Sequence, residues 1–173
     1  AALTLLTRNG IHATPMSAIA KEAGTGMGTI YNYFPNKEML INAIYVQIKK
    51  EEEGLFTVYG EGKDLREHFE EYYKNIVQFF LMHPAYFHFM EQLQASPIIT
   101  AESKAAGYKA ITPVLILIER GQQEGRIKTM PTAELMPFIG GTILAYLRLH
   151  FQEGREKPSL INQLQLVWDA IRA

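Results

Sequence analysis

Residues 14–40, TPMSAIAKEAGTGMGTIYNYFPNKEML, constrain the fold more than any other stretch of the chain. Met16, Ile19, Ala20 and Ala23 recur at helical spacing and make one face of a short segment apolar. Pro15 suits the first helical position because it has no N–H to leave unbonded, and the Thr14 hydroxyl before it is expected to cap the helix. Gly24 should end it, since glycine takes the left-handed conformation without a Cβ clash. Thr25 and Gly26 turn the chain, and Met27, Ile30, Tyr31 and Phe34 restart the helical period. Pro35 stops that second helix, and Asn36 caps a third beginning at Lys37. A helix, a tight turn and a second helix of this length form the arrangement that lays the second helix in a DNA major groove.

Gly10, Thr14, Ile19, Ala20, Ala23, Gly24, Gly28, Thr29, Ile30, Tyr31, Tyr33, Phe34, Lys37 and Leu40 stand in a shared register. In that order and spacing the first third of the chain resembles the N-terminal signature of the TetR family of bacterial transcriptional regulators. The remaining two thirds resemble that family only in helical layout. The resemblance implies that Thr14, Tyr31, Tyr33 and Lys37 touch the DNA backbone and that Thr25, Met27 and Thr29 face the groove. From their chemistry, Thr25, Thr29, Tyr31, Asn32 and Tyr33 can donate to phosphates or read base edges, and Lys37 near a helix start can meet a phosphate. Phe34 reads as packing for the small head.

Two departures from the family matter. Its apolar-Ser pair before the second helix is here Thr25-Gly26, which weakens the N-cap, and a position often basic is Met27. The groove-facing surface therefore holds no Lys or Arg, and two-point reading of guanine is not expected from it. Gly24, Gly26 and Gly28 do not make a dinucleotide-binding loop, because the third glycine of that fingerprint is missing and a helix precedes them. They serve the turn and a close approach of backbone to DNA.

A length of 173 residues suffices for a real core, and 47% apolar with 20% charged residues fits a globular protein. The net charge of −1 does not announce a nucleic-acid partner. Up to Lys50, however, Arg8, Lys21, Lys37, Lys49 and Lys50 outweigh Glu22 and Glu38, and Glu51, Glu52 and Glu53 follow at once. A basic head on a slightly acidic body is the expected pattern for a DNA-reading module joined to something else. The absence of cysteine removes disulfides and thiolate metal sites, and a cytoplasmic location is expected. The chain opens at Ala1 inside an apolar pattern (Leu3, Leu6, Ile11), so a first helix that starts earlier, with its first residues missing here, is expected.

The fold class read from the pattern is all-α: a helix-turn-helix head over residues 1–53 and a larger helical ligand-binding and dimerisation domain over 54–173. The helix from Lys37 to Glu53 presents Met39, Leu40, Ala43, Ile44 and Ile48 on one face. Gly54 to Gly62 forms a loop and the domain boundary, and Phe56–Tyr59 is β-like but too short for a strand. Long helices follow at about 64–83, 85–95, 101–124, 131–153 and 159–173. Pro113 inside the third of these predicts a kink or two helices meeting.

Tyr72, Tyr73, Phe79, Phe80, Tyr86, Phe87, Phe89 and Met90 make an aromatic belt on two consecutive helices. Stripes of this kind usually form core, yet so many large rings, several with a hydroxyl, suit a small-molecule pocket. The expected pocket touches Tyr73, Phe80, Phe87, Met90, Tyr108 and Tyr146, and the resemblance implies a small, partly apolar effector bound in this domain. Each of the six reads equally well as core. The last two helices carry apolar stripes and small residues. Gly141, Ala145, Leu160, Leu164 and Trp168 are expected at a homodimer interface, a four-helix bundle in the family. The alternative is packing within one subunit.

His83 and His88 lack the spacing of a helical zinc pair, no metal or other cofactor is expected, and HExxH, G-x-S-x-G and Walker strings are absent. The reading is a TetR-like repressor that binds a near-palindromic duplex operator as a dimer and is released by its ligand. It is no enzyme and has no membrane partner. The rivals are a regulator controlled by a protein partner or by nothing, a small helical enzyme using His88 and Glu91, and activation in place of repression.

Overall fold

The computed structural model describes residues 1–56, 64–94 and 96–173. Residues 57–63 hold most of the expected glycine loop and all but Phe56 of the β-like run, so those expectations lie outside the described residues. Nine helices are described: α1 (Ala2–Asn9), α2 (Met16–Glu22), α3 (Met27–Tyr33), α4 (Lys37–Glu53), α5 (Leu65–Met82), α6 (Pro84–Leu93), α7 (Ala101–Gln123), α8 (Thr132–Phe151) and α9 (Leu160–Ile171). Among the described residues the only β pairing is an isolated bridge between Ile127 and Arg172. The all-α expectation is met. Helix α7 runs through Pro113 as one helix, so the alternative of two helices meeting there is not realised.

The chain divides into two compact units, residues 1–51 with 83–110 and residues 52–82 with 111–173. In the first unit, α1 packs against α2 and α6, and α2 against α3. Leu6, Ile19, Ile41, Ile48, Phe87 and Phe89 are buried there. Gly24 adopts φ +65°. The Thr25 N–H then donates to the Ala20 carbonyl at 3.0 Å and the Gly24 N–H to Lys21 at 3.1 Å. This paired closure satisfies carbonyls that the end of α2 would otherwise leave open.

Two side-chain amides bolt α6 and the start of α7 to the helices of the head. Gln92 on α6 accepts from the Ile11 N–H at 2.9 Å and donates to the carbonyls of Leu6 and Thr7 at 3.3 and 3.4 Å. Asn42 on α4 donates to the Ile98 carbonyl at 2.9 Å and accepts from the Thr100 N–H at 3.0 Å. Each amide thus uses both its donor and its acceptor on backbone groups of another segment.

The buried face of α4 differs from the expected one. Met39 is exposed at 50% and Ala43 is exposed, whereas Ile41, Asn42 and Glu52 are buried. A run of apolar residues at 39, 40, 41, 43 and 44 fits two overlapping helical stripes, and the neighbours choose between them.

In the second unit, α5 packs against α8 and α9, and α8 against α9. Phe69 and Trp168 lie ring to ring at 5.7 Å, with the Arg66 guanidinium 5.9 Å above the indole. Tyr73, fully buried, ties three helices together. The Thr142 hydroxyl donates to the Ile139 carbonyl at 2.7 Å, so Tyr73 is the donor in the 3.0 Å bond to Thr142 Oγ1. Gln163 donates to Tyr73 Oη at 3.4 Å. Ser159 caps α9 as its sequence suggests, accepting from the Asn162 N–H at 3.3 Å.

Burial, and after it the negative charge of Glu52, push the Tyr72 hydroxyl above its ordinary value of 10.0. Burial also raises Tyr73 and Tyr146. Such groups keep their protons in the folded chain while the unfolded chain loses them. The stability they carry is fully present below about pH 10 and is lost as pH rises from there through the folded values. A urea series from pH 9 to 11 is expected to show the midpoint falling with pH, less steeply for Tyr72→Phe. A flat series would contradict this.

Candidate nucleic-acid interface and body cleft

Helix α3 is built to be seen from outside. Ile30 is its one buried residue and seats it on α2. Tyr33 is exposed at 74%, Tyr31 at 42% and Met27 at 38%, and Gly26, Gly28, Thr29 and Asn32 are exposed too. Thr25 is half-buried at the turn. The N-cap of α3 is Gly26, with no side-chain cap bond, as its sequence suggests.

Nothing inside the protein demands glycine at 26 or 28. Gly26 has φ −77°, and a Cβ at either position would meet nothing within 4 Å. This separates them from Gly24, whose backbone requires glycine.

The loop before α2 is held by a side chain from the start of α4. The Lys37 ammonium donates to the carbonyls of His12 at 3.1 Å and Thr14 at 3.2 Å. It therefore sits where the start of α2 and the start of α4 meet. The Asn36 side chain caps α4 by accepting from the Met39 N–H at 2.8 Å, as expected.

Thr14 departs from its expected role. It is fully buried, and its hydroxyl donates to the carbonyls of Gly10 at 2.8 Å and Leu5 at 3.3 Å. The N-cap of α2 is Pro15, so Thr14 lies one residue too early to cap the helix. Its side chain shapes the loop from within and does not face outward.

The six residues expected to line a pocket fall into different settings. Tyr73, Phe80, Phe87 and Tyr146 are buried, Met90 is half-buried, and Tyr108 is exposed at 67%. A cleft in the second unit is instead walled by Leu55, Phe56, His68, Glu71, Tyr72, Asn75, Pro113, Val114 and Leu117. It holds about 330 Å³ between its walls, counting the mouth open to solvent, and about 20 Å³ of that admits the centre of a water molecule. Phe56 and Tyr72 meet there at 4.9 Å with their planes tilted by 49°. The Asn75 amide donates to the Leu55 carbonyl at 3.2 Å. Sequence reasoning named Tyr72 in the belt but missed His68, Glu71 and Asn75. They recur at helical spacing on α5, though a polar residue at such spacing reads as a solvated face. Glu52 was hidden in the run of three glutamates. Its offset of four from the buried Ile48 was the available sign.

Leu164 and Trp168, expected at a dimer interface, are buried inside their own unit. This corrects the expectation for those two: an apolar stripe shows that a face is covered, not which chain covers it. Gly141 and Ala145 are exposed, Leu160 is half-buried, and Phe138 at 45% and Leu149 at 43% extend the exposed line along α8. Ile161 at 78% and Leu166 at 68% are exposed on α9.

This architecture, with a helix-turn-helix carrying an outward polar helix, defines a DNA-binding transcription regulator. Residues 1–44 match the bacterial regulatory proteins of the tetR family, and residues 44–173 match the tetracyclin repressor-like C-terminal domain. The chain belongs to the TetR family. A fatty acid metabolism regulator protein of Bacillus subtilis is 40% identical over 67 residues, which are 39% of this chain and 32% of that protein. The match thus spans about a third of that relative's length. A TetR family transcription regulator from Marinobacter aquaeolei VT8 superposes with a TM-score of 0.86 at 25% identity, covering 99% of this chain and 91% of that one. The fold is also that of the transcriptional regulator FadR from Bacillus subtilis in complex with stearoyl-CoA, with TM-score 0.68, 20% identity and coverage of 97% and 92%. The relatives are regulators, not enzymes. No helix among the described residues is long and apolar enough to cross a membrane.

Proposed function

We propose that the protein is a repressor that grips a near-palindromic operator as a homodimer and lets go when a small, partly apolar effector enters its body. The reading head is residues 1–53 and the effector and dimer domain is 54–173. Two heads related by a two-fold axis would meet half-sites about 34–36 Å apart. Thr25, Met27, Thr29 and Asn32 face the bases, and Tyr31, Tyr33 and Lys37 hold the sugar–phosphate backbone. Thr14 shapes the loop that carries Lys37's contacts. The exposed line of Phe138, Gly141, Ala145 and Leu149 on α8 supports a partner subunit there. The effector is placed in the cleft beside Tyr72; the relative crystallised with stearoyl-CoA supports an effector in a protein of this fold. The effector binds more tightly to a form whose heads are wrongly spaced, so operator and effector weaken each other by the same factor.

The observation that carries the DNA reading is the pair of glycines with no internal purpose. Gly26 and Gly28 lie on the outward surface with open space where a side chain would go. Glycine in a helix costs roughly 0.5–1 kcal/mol relative to alanine, so a bare helix start has to be justified by something that approaches it. Gly28→Ala is therefore expected to raise stability by up to about 1 kcal/mol and to weaken binding to an operator selected from random duplexes. Thermal melting and a fluorescence-anisotropy titration read the two effects. Unchanged operator affinity in Gly28→Ala would remove the close approach of DNA to this helix.

A further inference from the structure

We infer that the cleft beside Tyr72 selects a small neutral ring compound whose head offers a hydrogen-bond acceptor and a donor together, as a carboxamide does, over an acid or an amidine of the same shape. The inference rests on the effector reading above and gives it a chemical class.

Tyr72 and Asn75 lie one helical turn apart on α5, both line the cleft and both are half-buried. The Asn75 amide donates to the Leu55 carbonyl at 3.2 Å, which fixes its orientation, since a carbonyl accepts only from the N–H side. The other end, Asn75 Oδ1, accepts from no group among the described residues. The Tyr72 hydroxyl likewise has no hydrogen-bond partner among them, and burial holds its proton on. One wall thus presents an O–H in want of an acceptor and an oxygen in want of a donor. Such groups cost free energy in a partly dried cleft, and a head that complements both removes the cost. A carboxylate only accepts, so it sets its lone pairs against Asn75 Oδ1. An amidinium only donates and leaves the Tyr72 proton unmatched. Either ion also has to leave water for two neutral partners. His68 and Glu71 line the same face of α5, but each has an interaction of its own within the chain, and the selection is not assigned to them. Phe56, Pro113, Val114 and Leu117 supply an apolar surface for the ring. The space of about 20 Å³ open to the centre of a water molecule suits a compact head, not a long chain.

The test uses benzamide, benzoate, benzamidinium and acetophenone, which share a ring and nearly one shape. Their heads differ in whether they donate, accept or do both. Each is titrated against the full chain and followed by ligand-observed NMR. Benzamide is expected to bind at least about tenfold more tightly than benzoate or benzamidinium. It should bind about threefold to tenfold more tightly than acetophenone, which keeps the acceptor and lacks the donor. Tyr72→Phe keeps the ring and should weaken benzamide by about threefold to tenfold. Asn75→Leu should erase the preference for benzamide over acetophenone, with its melting temperature measured alongside. If that change prevents folding, the wild-type series and Tyr72→Phe decide. A charged probe binding as tightly as benzamide overturns the inference. So does acetophenone equalling benzamide, an unchanged benzamide affinity in Tyr72→Phe, or no binding of any probe. Operator competition in the same samples separates this inference from the repressor reading. Release by benzoate or benzamidinium alone would keep an effector-controlled repressor and end the neutral assignment. Selective benzamide binding without operator release would keep the neutral site and end effector control.

Discussion

Lys37→Ala is expected to weaken operator binding by at least about tenfold, on the scale of about 1.5–3 kcal/mol for a charge-assisted contact. Two losses act together. A cation leaves the surface proposed to meet the DNA backbone, and the carbonyls of His12 and Thr14 lose the ammonium that holds them at 3.1 and 3.2 Å. The first loss has its own signature. Each phosphate neutralised contributes about 0.9 to the slope of log affinity against log salt, and a dimer loses one such contact from each head, so the slope should flatten by about 1.8. The second loss concerns geometry, because the loop ahead of α2 is no longer pinned to the start of α4. Lys37→Arg should restore the slope. It should restore affinity less completely, since a planar fork does not reproduce a compact ammonium between two carbonyls. A Lys37→Ala protein with wild-type slope and affinity would show that this lysine serves the loop alone.

Trp168→Ala is expected to destabilise the chain by about 3–5 kcal/mol, the usual cost of deleting a large aromatic from a core. Typical domains have about 5–15 kcal/mol in total, so the loss is a large share of what holds the body together. The indole is 6% exposed, packs on Phe69 and lies beneath the Arg66 guanidinium, which also donates to Gln165 at 2.7 Å. Removing it leaves a cavity against Phe69, itself fully buried. Trp168 is the only tryptophan, so unfolding has to be followed by far-ultraviolet circular dichroism in urea. Trp168→Phe should retain most of the stability. If Trp168→Ala lost only a fraction of a kcal/mol and instead dissociated a dimer, the residue would belong to a subunit interface after all.

Local signals were legible because they act through one or two neighbours. Gly24, Asn36, Pro84 and Ser159 all begin or end helices as their chemistry requires. Thr14 shows how narrow that legibility is. With the start of α2 displaced by one residue, the same hydroxyl turns from cap to buried brace. Exposure of α3 was legible from its density of polar and aromatic residues in a head with few helices. The cleft was not. Aromatic content pointed to Tyr73 and Tyr146, but ring count says nothing of where packing leaves a gap. The gap lies one residue away at Tyr72, on a neighbouring face of the same helix. Glu52 looked like one charge in a solvated run, and only the packing of α4 reveals it as an inward carboxylate.

The paired amide clamps bear on how reading heads can be exchanged between relatives. A chimaera cut after residue 53 would transplant Leu6, Thr7 and Ile11 without Gln92, and Asn42 without Ile98 and Thr100. The donor's backbone groups would then face whatever the recipient happens to place there. A graft that takes residues 83–110 along with the head keeps both bolts, so the piece to be moved is discontinuous in the gene although it is a single block in space.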